Sequence, residues 1–69
     1  MLLETEEQTK QWRIYLVDDH AVVRDGLRTM INHEKDMRVV GEADNGRTAV
    51  EQIGILQPHV VLADVSMPG

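Results

Sequence analysis

Two largely apolar runs that each end at aspartate limit the folds open to this chain more than any other feature of its sequence. The run RIYLV (13–17) stops at the pair Asp18-Asp19, and the run VVLA (60–63) stops at Asp64. Continuous apolar runs of this length are typical of parallel strands that are covered on both faces of a sheet. We therefore predict one strand over 13–17 and another over 60–63.

A helical pattern follows the first strand. Residues 20–33 carry apolar side chains at spacings that place them on one stripe of a helix, namely Val23, Leu27, Met30 and Ile31. Arg24 and Arg28 lie off this stripe, so we expect them to be solvated. After the helix, residues 37–42 (MRVVGE) form a shorter and less apolar run, which predicts an edge strand.

A second helix is predicted after the break at Asp44-Asn45-Gly46. Its apolar residues recur at helical spacing, at Ala49, Val50, Ile53 and Leu56. Either Asp44 or Asn45 is expected to cap its start, because both side chains can accept a hydrogen bond from the first turn. Gly54 and Pro58 are expected to mark its end.

The order strand, helix, strand, helix, strand predicts an α/β fold with a parallel sheet, because a crossover helix joins each pair of parallel strands. Parallel strands end at one edge of the sheet, so Asp18, Asp19 and Asp64 can converge there. Convergence requires the first and third strands to be neighbours, with the second strand outside the first, which is the strand order 2-1-3. Open α/β sheets bind ligands where the strand order reverses in this way.

Three carboxylates within a few ångströms of one another repel strongly, so either some are protonated or a cation neutralises them. A site of oxygen ligands with room for water suits Mg²⁺, and we predict Mg²⁺ at Asp18, Asp19 and Asp64. A simpler alternative is that Asp19 only caps the helix that begins at His20, since a lone aspartate at a strand end more often forms a turn or a cap. We expect His20 and His59 to have structural roles and the three acids to have no basic partner.

Composition excludes several classes of function. Seven lysines and arginines against twelve acidic residues give a net charge of −5, and the arginines are scattered, so the chain has no basic face for nucleic acid. The longest apolar runs are four residues, far short of the about 20 needed to span a bilayer. The absence of cysteine excludes disulfides and thiolate metal sites. We predict a flexible tail over residues 1–12 and a single cytoplasmic domain over residues 13–69, with no membrane partner.

Three segments resemble the receiver domain of two-component response regulators, and most closely the NarL/FixJ type. They are LVDDHAVVRDGLR (16–28), VVGEADNGRTAVE (39–51) and PHVVLADVSMPG (58–69). Within them, the acidic pair, the Asn-Gly turn and an aspartate followed at the right distance by Met67-Pro68 match the motifs of the family. The resemblance covers residues 13–69 and implies a flavodoxin-like three-layer fold with a parallel sheet, of which this chain holds the N-terminal part.

The resemblance also implies a role for the acidic residues. Asp64 would be the phospho-acceptor for a sensor histidine kinase, with Asp19 and Asp64 bound directly to Mg²⁺ and Asp18 bound through water. The backbone carbonyl of Ser66 would supply a further oxygen ligand. The exposed face of the first helix, around Val22, would help to dock the kinase. Receiver domains are phosphoryl acceptors rather than enzymes, and this type regulates transcription through a DNA-binding output domain, which this chain lacks.

Parts of the family's mechanism are also missing from this sequence. In the family a Ser or Thr follows the fourth strand and a Lys follows the fifth, whereas this chain supplies only the first three strands. The third strand would then have an unpaired outer edge, and we expect that edge to pair with a second copy of the chain, giving a homodimer, or with a C-terminal half.

Two other functions compete with that of a phosphorylated receiver. The alternative is a truncated or degenerate receiver that acts only as a protein-interaction or dimerisation module. A nucleotide-binding or hydrolase fragment is disfavoured because the turn after the first strand has no glycine-rich phosphate loop. In addition, Ser66 stands where a phosphatase with an aspartyl nucleophile would have a second aspartate.

Overall fold

A computed structural model describes residues 11–64 of the chain. Strands and helices alternate along this part: β1 (Trp12–Val17), α1 (Ala21–His33), β2 (Met37–Ala43), α2 (Gly46–Leu56) and β3 (Val60–Ala63). The order confirms the predicted elements, although β1 begins one residue earlier than expected and β2 ends one residue later. Residues 1–10 of the predicted tail and the predicted ligand Ser66 lie outside the described residues. None of the described helices is long and apolar enough to cross a membrane.

The strands form one parallel sheet in the order β2-β1-β3, which confirms the predicted α/β architecture. β1 is the central strand, and its last residue, Val17, lies opposite Ala43 of β2 and Ala63 of β3. The carboxyl ends of all three strands therefore reach the same edge of the sheet. Asp18 and Asp64 lie at that edge, because each comes immediately after a strand.

Helices cover both faces of β1, because successive side chains of a strand point to opposite faces. One cluster of buried residues joins β1 and β2 to α2 and consists of Tyr15, Val17, Ala43 and Ala49, with Ile53 and Leu56 packed against it. The other joins β1 to α1 and consists of Ile14, Leu16 and Ile31, with Leu27, Met37 and Val39 packed against it. The result is the predicted three-layer arrangement, with the sheet between the two helices.

The bounds of α2 follow from its caps. Asn45 precedes the helix, and its Oδ1 accepts a hydrogen bond from the backbone N–H of Thr48 at 2.9 Å, so Asn45 rather than Asp44 is the cap. The prediction that Gly54 marks the end was wrong, because one glycine lowers helix stability without breaking the hydrogen-bond ladder. The helix ends just before Gln57, which adopts a left-handed backbone with φ 49°, a conformation that commonly terminates helices.

The start of β1 is held to the segment between α2 and β3. The backbone N–H of Arg13 donates to Nδ1 of His59 at 2.9 Å, and its guanidinium donates to the carbonyl oxygens of Leu56 and Gln57. The ring of Trp12 packs edge-on against the His59 ring, with the centroids 5.3 Å apart. These contacts of His59 are structural, as predicted.

Candidate functional site

The candidate site lies at the carboxyl edge of the sheet, where β1 and β3 end side by side. The backbone N–H of Asp64 donates to the carbonyl oxygen of Val17 at 3.0 Å, which extends the pairing of the two strands past the end of β3. The N–H of Asp18 donates to the carbonyl oxygen of Ala43 at 3.1 Å and extends the pairing with β2 in the same way. These two hydrogen bonds fix the main chain from which both carboxylates project.

The structure brings Asp18, Asp19 and Asp64 together, and we refer to these three residues as the acidic cluster. Each of them offers a carboxylate oxygen, His20 offers a ring nitrogen, and the four atoms lie within 4.8 Å of one another. The strand order makes this possible, because β1 and β3 are neighbours. The convergence of the three acids was predicted from the sequence and is confirmed, whereas the position of His20 among them was not predicted.

The three carboxylates differ in their access to solvent. The side chain of Asp18 is 10% exposed, that of Asp64 24% and that of Asp19 44%. Asp18 Oδ1 accepts a hydrogen bond from the backbone N–H of His20 at 2.8 Å, so this carboxylate is both largely buried and held in place. Asp64 remains within reach of a molecule that approaches from solution.

His20 lies at the predicted start of the helix, but its side chain contacts the acidic cluster and does not cap the helix. It is the N-cap residue of α1 and makes no capping hydrogen bond with its side chain. Instead, its Nδ1 lies 3.0 Å from Asp18 Oδ1, 3.0 Å from Asp19 Oδ1 and 3.6 Å from Asp64 Oδ2. The hydrogen bond with Asp18, together with the negative charges of Asp19 and Asp18, raises the pKa of the imidazole above its usual 6.5.

One expectation about this part of the site was therefore wrong, and one alternative fails. The acids do have a basic partner, since His20 lies against all three of them. The alternative that Asp19 caps the helix also fails, because the N-cap is His20. The only sequence signal for the position of His20 was its place immediately after the acidic pair, where a short turn brings its ring back over the strand end.

Two arginines of α1 that were expected to be solvated are paired with Glu42 on β2. Arg24 Nε lies 2.9 Å from Glu42 Oε1, and Arg28 Nη1 lies 2.7 Å from Glu42 Oε2. Hydrogen bonds from Arg28 and Arg24, opposed in part by burial, hold the pKa of the Glu42 carboxyl below its usual 4.5. Arg24 also donates from Nη1 to the backbone carbonyl oxygen of Asp18 at 2.6 Å, so this network reaches the acidic cluster.

The donor set of the acidic cluster fits Mg²⁺. This ion takes hard oxygen ligands at about 2.0–2.1 Å in an octahedron, so opposite ligands lie about 4.2 Å apart. The carboxylate oxygens lie within 4.8 Å of one another, which is close to that span. A groove of about 440 Å³, lined mainly by apolar residues of β1, α1 and β3, borders Asp18 and Asp64. Apolar surroundings strengthen the attraction between the carboxylates and a cation.

Comparison with known proteins shows that the chain is similar to response regulators. A family model for the response regulator receiver domain matches residues 14–69. Over 56 residues the chain is 43% identical to the nitrate/nitrite response regulator protein NarL of Escherichia coli (strain K12) and 41% identical to the transcriptional regulatory protein YdfI of Bacillus subtilis (strain 168). Each match covers 81% of this chain and 26% of the relative, so the chain spans about a quarter of the length of these relatives.

A solved structure is also similar. The response regulator domain of Thermotoga maritima CheB matches with a TM-score of 0.81 and 40% sequence identity, over 87% of this chain and 45% of that chain. At this level of similarity the two share their backbone arrangement, so the flavodoxin-like fold predicted from the resemblance is confirmed.

Proposed function

The chain belongs to the response regulator receiver domain family, and we propose that it accepts a phosphoryl group from a sensor histidine kinase on Asp64, with Mg²⁺ held by the acidic cluster. The observation that most supports this proposal is the position of the Asp64 carboxylate, which lies within 4.8 Å of ligand atoms of Asp18 and Asp19 at the carboxyl edge of the sheet. One divalent ion can be held there by all three side chains, either directly or through water.

The proposal gives each acid a separate role. A carboxylate oxygen of Asp64 attacks the phosphorus of a phosphohistidine, so the P–N bond breaks and a mixed anhydride of the carboxyl group forms. Asp19 and Asp64 would hold Mg²⁺ directly, Asp18 would hold it through water, and the backbone carbonyl of Ser66 would add an oxygen. When bound, the ion supplies the positive charge that lets an anionic carboxylate approach an anionic phosphoryl group.

The start of α1 is the proposed docking surface for the kinase. Val22 is 85% exposed, the neighbouring Ala21 is exposed as well, and both lie directly after the turn that carries Asp18 and Asp19. An exposed apolar surface beside the nucleophile can pack against the kinase while the phosphohistidine reaches Asp64.

The wider role of the chain is also part of this proposal. We place it in the cytoplasm as a phosphoryl acceptor, not as an enzyme that acts on other substrates. Its phosphorylation would regulate transcription through a DNA-binding output domain outside this chain. The similarity to NarL, a nitrate/nitrite response regulator, and to YdfI, a transcriptional regulatory protein, supports this assignment.

Incubation with Mg²⁺ and a small phosphodonor tests the proposal. Intact-mass spectrometry is expected to show one added phosphoryl group on the unchanged protein and none on Asp64→Ala. Asp36→Ala is the matched control, because Asp36 is an exposed aspartate outside the acidic cluster, and it is expected to be labelled like the unchanged protein. Equal labelling of Asp64→Ala, or no labelling of the unchanged protein under conditions that label another receiver, would contradict the proposal.

The outer edge of β3 favours a second candidate function, a protein-interaction module that dimerises without being phosphorylated. Val60, Val61 and Leu62 are 39–42% exposed, and among the described residues β3 pairs with β1 alone. The N–H and C=O groups of such an edge can extend the sheet into a second copy of the chain. Sedimentation at micromolar concentration is expected to show a folded dimer in that case, and a folded monomer would contradict it.

A further inference from the structure

We infer that His20 is itself a metal ligand at the acidic cluster and that it selectively raises the affinity of the site for borderline divalent ions of the Zn²⁺ class. The inference rests on the proposed function only in taking Asp18, Asp19 and Asp64 as the place where a divalent ion binds. It goes beyond that function, because a Mg²⁺ site needs no nitrogen ligand.

The distances around His20 match those between neighbouring ligands of one ion. In a six-coordinate ion with ligand bonds of about 2.1 Å, neighbouring ligands lie about 3.0 Å apart. His20 Nδ1 lies 3.0 Å from the nearest carboxylate oxygens of Asp18 and Asp19 and 3.6 Å from that of Asp64. The four ligand atoms lie within 4.8 Å of one another, so an ion placed among the three oxygens can reach this nitrogen, which gives up its hydrogen bond with Asp18 when the ion binds.

The main chain holds His20 in this position. Its backbone N–H donates to Asp18 Oδ1 at 2.8 Å, and its backbone is extended, with φ −100° and ψ 105°, at the start of α1. The side chain is 61% exposed, so the ring is positioned through the main chain and the acids and not by tight packing. This exposure lets a hydrated ion enter and keep the water ligands that complete its shell.

The chemistry of a nitrogen donor decides which ions gain from it. Imidazole is a good ligand for Zn²⁺, Ni²⁺ and Cu²⁺, whereas Mg²⁺ prefers oxygen ligands and retains several waters. With His20, the three carboxylates become a mixed oxygen and nitrogen donor set. Loss of the imidazole should therefore weaken Zn²⁺ binding relative to Mg²⁺ binding, which depends on the oxygens.

Calorimetric titration with Zn²⁺ and with Mg²⁺ tests this inference on the unchanged protein, His20→Gln and His33→Gln. His33 is the control because it is an exposed histidine at the other end of α1. His20→Gln is expected to weaken Zn²⁺ binding by about tenfold or more, since even residues that only support metal ligands change affinity on that scale. His20→Gln is expected to lower the ratio of Zn²⁺ affinity to Mg²⁺ affinity, and His33→Gln is expected to keep both affinities.

Nitrogen NMR of the histidine rings supplies a second readout. One equivalent of Zn²⁺ is expected to shift the Nδ1 resonance of His20 and to leave that of His33 in place. Unchanged Zn²⁺ affinity in His20→Gln, or an unshifted His20 Nδ1, would overturn the inference.

The two proposals can fail separately. If Asp64 is phosphorylated with Mg²⁺ while Zn²⁺ affinity does not depend on His20, the inference fails and the proposed function stands. If Zn²⁺ affinity depends on His20 while Asp64 is never phosphorylated, the inference stands and the proposed function fails.

Discussion

Arg24 donates a hydrogen bond from Nη1 to the backbone carbonyl oxygen of Asp18 at 2.6 Å. The same guanidinium donates from Nε to Glu42 Oε1 at 2.9 Å, and the Arg24 side chain is only 20% exposed. The turn that carries the acidic pair is therefore tied through one side chain to both α1 and β2. Arg24 is a positioning residue in this arrangement, because it acts on the site through Asp18.

We predict that Arg24→Met weakens Mg²⁺ binding by about tenfold, the scale of change found when a group that supports metal ligands is removed. The physical reason is that the Asp18 carbonyl loses its donor and the turn loses its anchor. Calorimetric titration with Mg²⁺ measures the effect, and circular dichroism checks that the variant is folded.

Arg28→Met is the matched control for this prediction. Arg28 pairs with Glu42, as Arg24 does, and also with Asp25 on its own helix, but the hydrogen bond to the Asp18 carbonyl comes from Arg24. We expect Arg28→Met to retain its Mg²⁺ affinity. If both variants lose Mg²⁺ binding equally, the effect comes from the loss of pairing with Glu42 and not from the bond to Asp18.

Glu42 is predicted to give the protein a pH-dependent stability. Its pKa in the folded protein lies below 4.5 because Arg28 and Arg24 favour the charged form, and in the unfolded chain it returns to its usual value. The stabilising pairing is therefore fully present above pH 4.5 and is lost as the pH falls through the lowered pKa. Glu42→Gln should destabilise the protein at pH 7, and the difference in free energy of unfolding should shrink below pH 4.5.

Urea unfolding at a series of pH values measures this difference. Glu51→Gln is the control, because Glu51 is an exposed glutamate on α2. A difference between the unchanged protein and Glu42→Gln that stays constant from pH 7 to acid pH would show that the pairing with the two arginines does not contribute as described.

Close packing of Tyr15 and Leu56 against β2 is predicted to require glycine at position 41. A Cβ at Gly41 would lie 2.7 Å from Tyr15 Cε1 and 2.9 Å from Leu56 Cδ1, and Tyr15 is fully buried. Gly41→Ala should therefore lower the free energy of unfolding by about 1–3 kcal/mol, the usual range for overpacking a core. Urea unfolding measures the change.

Gly26→Ala is the control for that substitution. A Cβ at Gly26 would meet no atom within 4 Å, and the residue lies inside α1, where alanine is favoured over glycine by up to about 1 kcal/mol. We expect this variant to be as stable as the unchanged protein or more stable. A Gly41→Ala protein that is stabilised like Gly26→Ala would rule out close packing at Tyr15.

Asn45 is predicted to stabilise the start of α2. Because its Oδ1 accepts the hydrogen bond from the Thr48 N–H, Asn45→Ala should lower the free energy of unfolding by about 1 kcal/mol. Asp44→Ala, one residue earlier and exposed, should have a smaller effect. Equal effects of the two substitutions in urea unfolding would mean that the cap is shared between them.

The elements of the fold could be predicted because their signals are local. The run IYLV is buried on both faces of the sheet as its composition indicates. Leu27 and Ile31 of the predicted helical stripe face β1, whereas Met30 of the same stripe is exposed. The convergence of Asp18 and Asp64 could also be predicted, since strand order alone determines it. The prediction that α2 ends at Gly54 was wrong because a single glycine is compatible with a helix that tertiary packing holds in place.

The side chains around the acidic cluster could not be predicted, because their partners are set by the path of the chain. Arg24 and Glu42 are 18 residues apart, so no periodic pattern joins them. Their pairing depends on α1 packing beside β2, which appears only once the crossover is built. His20 reaches all three acids through the conformation of one turn, and the sequence shows only that His20 follows the acidic pair.

The proposed function depends on the binding of one divalent ion among Asp18, Asp19 and Asp64. Anomalous diffraction from crystals soaked with Mn²⁺, a scattering substitute for Mg²⁺, tests it directly. We predict a single strong peak at the carboxyl edge of the sheet, within about 2.6 Å of at least two of the three carboxylates. The absence of a peak there, or a peak only beside residues elsewhere, would show that no divalent ion binds among these three residues.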